Sequence, residues 1–241
     1  MSVNKRRVIR LYIPVLVIVL ALLCLALLGV QSSTAEMLPE VMVFEANRPV
    51  DPSALSAASQ VLERRLASLP NAAGVTIAVE GDGLLVSLPT GVEPALVLAA
   101  ASRAGQVELV DGGTEFLPVD SVVQTGPRAI PDQNVYEVIL TAADFEAAHA
   151  RLKEDGRPVI EITLTPDGDE RLAAHTAEVR GYYLCLVVDG WVVNCPILRT
   201  PLTNRRGSIE LTGDATLDDA HTLANLIRSG PLPVSLRLVG D

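Results

Sequence analysis

The dipeptide Asp189-Gly190 sits between two apolar runs, 182–188 and 191–193, and constrains this chain more than any other local feature. Asp-Gly tolerates the positive φ values of a two-residue turn, so the spacing predicts a tight antiparallel hairpin. Pro196 ends its second strand. A helix follows with its own start and stop. Thr216 with Asp219 makes an acidic variant of the capping box, and Ala220, Leu223, Ala224 and Ile227 share one helical face. Arg228 falls in the last turn, Gly230 suits a left-handed cap, and Pro231 blocks continuation.

The other end of the chain reads differently. Residues 11–30 form an uncharged apolar run, long enough to cross a hydrocarbon layer of ~30 Å as a helix. Lys5, Arg6, Arg7 and Arg10 precede it and no acid occurs before Glu36. The positive-inside tendency then leaves residues 1–10 as a cytoplasmic tail and everything after the span outside. A cleaved signal peptide is the competing reading, because 33–35 is a small-residue stretch. Signal cores are shorter, however, about 7–15 residues, so an uncleaved anchor with a linker over 31–37 is the expectation. Cys24 lacks the small preceding residue of a lipid-attachment site, and no later run is long enough to span. The chain is expected to sit in the cell membrane with a single pass, its main domain extracytoplasmic.

Between these ends strand and helix patterns alternate, which places the fold in the α+β class. A strand is expected over 41–46. Asp51 and Pro52 then start a helix whose Leu55, Ala58, Leu62, Leu66 and Leu69 lie on one side. Alternating strands over 75–79 and 84–88, a helix over 94–103 and a strand over 106–110 complete the β-α-β-β-α-β order of a ferredoxin-like unit. Gly112, Gly113, Pro118, Pro127 and Pro131 break the rhythm over 111–133. A second lobe follows, with a strand over 135–140, a helix capped by Thr141 and Asp144, a strand over 158–165 and a helix from Pro166 to near Gly181. The terminal strand, 234–239, has no obvious partner in that lobe.

Little in the sequence is spaced for catalysis. His149, His175 and His221 each fall in an expected helix without a second His at i+4. Asp167, Asp169 and Glu170 around Gly168 end too soon for a calcium loop and sit where acids favour a helix N-terminus. No catalytic, cofactor or metal residue is expected, and the reading is that of a non-enzyme. With 19 Lys+Arg against 29 Asp+Glu, and four of the basic residues in the first ten positions, the extramembrane part repels phosphate backbones. Nucleic acid is therefore not an expected partner. Arg199, Arg205 and Arg206 form one local basic patch, read as a solvated loop. Trp191 is read either as packing across from Val188 or as a partner contact. A two-residue turn sets Cys185 opposite Asn194 and turns Cys195 to the other face, so two free, largely buried thiols are expected; only a longer loop or a bulge would join them.

Taken as one string, the C-terminal motifs carry a family resemblance. The Asp-Gly hairpin, the segment Ile209-x-x-Thr-Gly213 and the helix end Ala220-x-x-Leu-Ala-Asn-Leu-Ile-Arg-Ser-Gly-Pro-Leu-Pro233 resemble the large extracytoplasmic domain of SecD, a membrane subunit assisting the Sec translocation channel. Ile139-Leu-Thr-Ala-Ala-Asp-Phe145 is also similar to that family. The matching structural positions are Gly181, Asp189, Gly190, Pro196, Gly213, Leu223, Leu226 and Pro231. The resemblance implies a ferredoxin-like base, 38–112 with 233–241, and an inserted α+β head, 113–232. It implies a hinge near Asp111, Gly112 and Gly113 and near Gly230, Pro231 and Pro233. It also implies a module that binds emerging polypeptide or a Sec translocase partner. SecD-type proteins continue into further membrane helices and, with SecF, use proton flow. A proton path needs ionisable residues within the membrane and 11–30 has none, so no proton coupling of its own is expected here. Fold likeness leaves two rivals open, a cell-envelope scaffolding protein and an envelope enzyme with an unrecognised site.

Overall fold

The computed structural model describes residues 40–69 and 71–239; the expected tail, membrane helix and linker lie outside them. Among the described residues no helix is long and apolar enough to cross a membrane.

The first sheet is built from strands β1 (Glu40–Ala46), β2 (Thr76–Glu80), β3 (Gly83–Leu88) and β12 (Leu236–Leu238), ordered β12-β1-β3-β2 and antiparallel throughout. Alternation in β1 sends Met42 and Phe44 to one face and leaves Val41 and Val43 exposed on the other. Helices α1 (Pro52–Leu66) and α2 (Pro94–Ser102) join Met42, Phe44, Leu84 and Val86 in one core, with Leu55, Leu62 and Val97 inward. The Asp51 carboxylate accepts from Ser53 N at 2.8 Å, which caps α1 as its sequence demands. Leu232, Val234 and Leu236 return from the far end of the chain to the same core.

Strand β4 (Val107–Gly113) does not close this sheet as the β-α-β-β-α-β order suggested. It is instead the middle strand of a second sheet, β10-β9-β4-β6-β5, with β5 (Gln124–Gly126), β6 (Val135–Thr141), β9 (Tyr183–Val188) and β10 (Trp191–Asn194). β12 takes the outer position beside β1 that β4 was expected to fill, with Phe44 opposite Leu238. A third sheet, β11-β8-β7, comprises β11 (Arg206–Glu210), β8 (Pro158–Leu164) and β7 (Phe145–Leu152). Helices α3 (Pro166–Glu178) and α4 (Leu217–Ser229) complete this part. α4 buries Ala220, Leu223, Ala224 and Ile227 in a core shared by Val107, Leu140, Leu186, Ile160 and Leu164 from the two sheets.

The helix expected from Thr141 is a second correction. The Thr141–Asp144 capping box forms, yet it closes only a single 3-10 turn, Ala142–Asp144, and the chain then extends as β7. Residues 145–152 are good helix formers, but pairing with β8 and burial of Phe145 and Ala148 against α4 override that local preference. His149 accordingly lies on an exposed strand position rather than on a helix.

The α4 start matches its sequence signal closely. Asp219 N donates to Thr216 Oγ1 at 3.2 Å, and Thr216 N donates to Asp219 Oδ2 at 2.8 Å. That backbone hydrogen bond, then the Thr216 hydroxyl, holds the Asp219 carboxyl below its ordinary value. A depressed folded-state pKa gives stability that is present above the unfolded value and lost as pH falls through the folded one. Thr216→Ala is expected to cost about 1 kcal/mol at neutral pH. The difference from the parent should narrow as pH drops below the ordinary carboxylate range, measured by urea unfolding at several pH values; a pH-independent gap would refute the reciprocal cap.

Candidate functional site

The expected hinge residues fall in two settings, a strand end and an irregular crossing. Asp111, Gly112 and Gly113 are the last three residues of β4: Asp111 pairs with Glu137 of β6 and Leu184 of β9, and after a register shift Gly113 pairs with Tyr183 alone. Asp111 is tied further: Oδ1 accepts from Gly113 N at 2.8 Å and Oδ2 lies 3.3 Å from His175 Nε2. Gly112 is a close-approach glycine, since a Cβ there would come 2.7 Å from Cys185 Sγ. Gly230, Pro231 and Pro233 do fall outside regular structure, between α4 and β12.

Cys185 and Cys195 are joined in a disulfide, against the expectation of free thiols. The turn is the expected two-residue one, with Asp189 at φ 52° and Gly190 at φ 83°. Val188 faces Trp191 and Val187 faces Val192, but Leu186 then faces Asn194, so Val193 is bulged out of the ladder. One residue further along, that bulge brings the two cysteines opposite each other. The hydrogen bond from Leu184 N to Pro196 O continues the shifted pairing. Trp191 is half exposed across from Val188 and beside Val122. Of the basic patch, Arg205 is engaged with Glu146 and donates to Leu164 O.

The most elaborate polar construction in the fold is the joint between the first sheet and the rest. Arg65, in the last turn of α1, is 1% exposed. Its Nη1 donates to Ala100 O at 2.8 Å and Arg103 O at 2.6 Å, and its Nη2 to Ala104 O at 2.8 Å and Gly230 O at 3.0 Å. Nε approaches Ser229 Oγ at 3.4 Å. A guanidinium has five N–H donors in a planar fork, and this geometry occupies each. Burial pushes the Arg65 pKa down to about 10, with the nearby Asp189 charge opposing the shift. The side chain therefore remains a cation at neutral pH.

Neighbouring groups close the joint. Arg64 Nη2 donates to Ser229 O at 3.0 Å, and Asn225 Nδ2 donates to Arg65 O at 2.9 Å. Leu232 N donates to Ala104 O at 2.8 Å. The hairpin tip meets the outgoing chain here too: Gln106 N donates to Asp189 Oδ1 at 2.8 Å, and Asp189 N to Gln106 O at 2.9 Å. Residues of the motif string thus have concrete tasks. Asn225, Ser229 and Gly230 meet the arginines, Leu223 and Leu226 are core, and Arg228 Nη1 donates to Ala148 O at 2.6 Å on the edge of β7.

Sequence reasoning missed Arg65, although a signal was present. It stands three residues after Leu62 and one before Leu66, on the apolar stripe of α1, where a cation needs buried partners. Among the described residues no group of His, Cys, Asp and Glu is placed to hold a metal ion. A shallow pocket beside β1, β12 and α2 has Glu40 as the sole ionisable group in its lining.

Comparison with known proteins fits this architecture. Residues 121–234 match the sequence profile described as SecDF, P1 head subdomain. The protein translocase subunit SecD of Acidaminococcus fermentans is 27% identical over 192 residues, covering 79% of this chain and 40% of the relative. SecDF of Thermus thermophilus is 28% identical over 204 residues, covering 76% of this chain and 27% of the relative. The chain thus spans well under half the length of these curated relatives. A solved structure titled "Structure and function of a membrane component SecDF that enhances protein export" superposes with a TM-score of 0.66 at 26% identity, covering 84% of this chain and 99% of the other. The profile match over 121–234, the curated relatives and the solved structure all point the same way: this chain resembles the P1 head and base region of SecD and SecDF proteins.

Proposed function

We propose that residues 39–241 work outside the membrane as a non-enzymatic module that assists Sec-dependent protein translocation, by binding emerging polypeptide or a translocase partner. The observation that carries this reading is the likeness to the solved SecDF region, which covers nearly all of that chain. In this reading the ferredoxin-like base is 38–106 with 233–241, and the head takes in β4 and runs over 107–232, so the base implied by the resemblance is shortened from 112 to 106. The bend between them falls at 103–106 and 230–233, where the chain crosses between the two sheets, since Asp111 is paired on both sides and Gly113 still pairs with Tyr183. The apolar run 11–30 tethers the module as a single span with its N-terminus cytoplasmic, and without ionisable residues it supplies no proton path.

Photo-crosslinking tests the proposal in living cells. With a photoreactive residue at Phe116 or Trp191, both exposed, adducts with a stalled exported polypeptide or with channel subunits are expected, and the same subunits should co-purify from native membranes. Absence of both adducts and co-purification would sink the translocation reading and favour envelope scaffolding.

A further inference from the structure

Three helix C-termini converge on Arg64 and Arg65: the last turn of α1, which carries them, and the ends of α2 and α4, whose carbonyls accept from them. Each such end presents unpaired carbonyls and a partial negative charge. Brought together without a counter-charge, these ends repel. The Arg65 guanidinium is that counter-charge, and its five partners are uncharged oxygens, four main-chain carbonyls and one hydroxyl.

Those partners also lie on both chain crossings between the first sheet and the remainder. The outgoing crossing is 103–106, where Arg103 O and Ala104 O accept; the returning crossing begins at Ser229 and Gly230. The apolar cores on either side are separate clusters. Opening the joint therefore exchanges hydrogen bonds with protein for hydrogen bonds with water and bares little core, which is the interface type that permits relative motion of two lobes.

We propose that Arg65 is a positioning latch: one buried guanidinium that clasps both crossings and sets the first sheet against the rest of the fold. Its place in export rests on the translocation reading above, whereas the latch itself does not. Gly105 is part of the device. It has φ +72°, and a Cβ there would collide with Arg65 Nη2.

Hydrogen exchange on the full-length protein in detergent, comparing Arg65→Met and Arg65→Lys with the parent, tests the latch. The reporting amides are Leu232, bonded to Ala104 O, and Gln106, bonded to Asp189 Oδ1. In Arg65→Met they should exchange at least about tenfold faster, while Val86 and Leu186 in the two sheets stay within about twofold. Arg65→Lys keeps the charge but only three donors, so an intermediate acceleration is expected, and this variant decides the matter if Arg65→Met does not fold. Parent rates at Leu232 and Gln106, or equal acceleration at Val86 and Leu186, would overturn the latch and leave Arg65 a general stabiliser. Failure of the crosslinking experiment with the exchange pattern intact would refute the export role alone.

Discussion

Deletion of residues 233–241 is expected to melt the first sheet while sparing the other two. The segment contributes Val234 and Leu236 to the core around Phe44 and Leu62. Burial of each such side chain is worth ~1.5–3 kcal/mol, so their loss removes ~3–6 kcal/mol before any hydrogen bond is counted. Whole domains are held by about 5–15 kcal/mol. The deletion also strips the outer edge of β1, leaving Val43 O without the Val239 N–H and Asn47 N–H without Ser235 O. The cores of the other sheets contain no residue from this segment. In hydrogen exchange by mass spectrometry, peptides over β1 and β3 should lose protection while those over β8 and β9 keep it. Persistent protection of β1 would mean that β12 is an accessory rather than a required strand.

Local signals were legible to the extent that one element satisfied them alone. The α1 start at Asp51-Pro52, the α4 capping box and the Asp189-Gly190 turn each form as their residues dictate. What the sequence hid is what depends on a distant partner. No local feature says whether β4 or β12 flanks β1; the resemblance placed both in the base, and only β12 is there, because β4 packs Val107 into the core that α4 shares with the other sheets. Residues 145–152 read as helix because β8, their pairing partner, lies further along the chain. Arg65 was legible only as a charge on a greasy face, since its acceptors are backbone atoms that no side-chain pattern marks.

Replacing Cys185 and Cys195 together by Ser is expected to cost ~2–3 kcal/mol, the lower part of the usual disulfide range because the closed loop is short. For a chain of this size that corresponds to a fall in Tm of ~5–10 °C. The site amplifies the loss, since both sulfurs lie in a buried cluster with Val110, Leu117, Val187 and Val192, and hydroxyls there face apolar neighbours. A thiol count separates the bonded hairpin from the simpler one. The denatured, unreduced chain should titrate one thiol, that of Cys24, and the reduced chain three. Three thiols before reduction would mean that Leu186 pairs with Val193 and that Cys195 points away from Cys185. The bulge at Val193 would then be wrong, and with it the position of Asn194, whose Nδ2 reaches Glu210 O at 2.7 Å only in the shifted register. Substituting Asn194→Ala offers an independent check on the same register. It breaks that bond between β10 and β11 and should lower stability by ~1 kcal/mol in the oxidised protein, whereas in the unshifted hairpin the side chain turns to the opposite face and its loss is neutral.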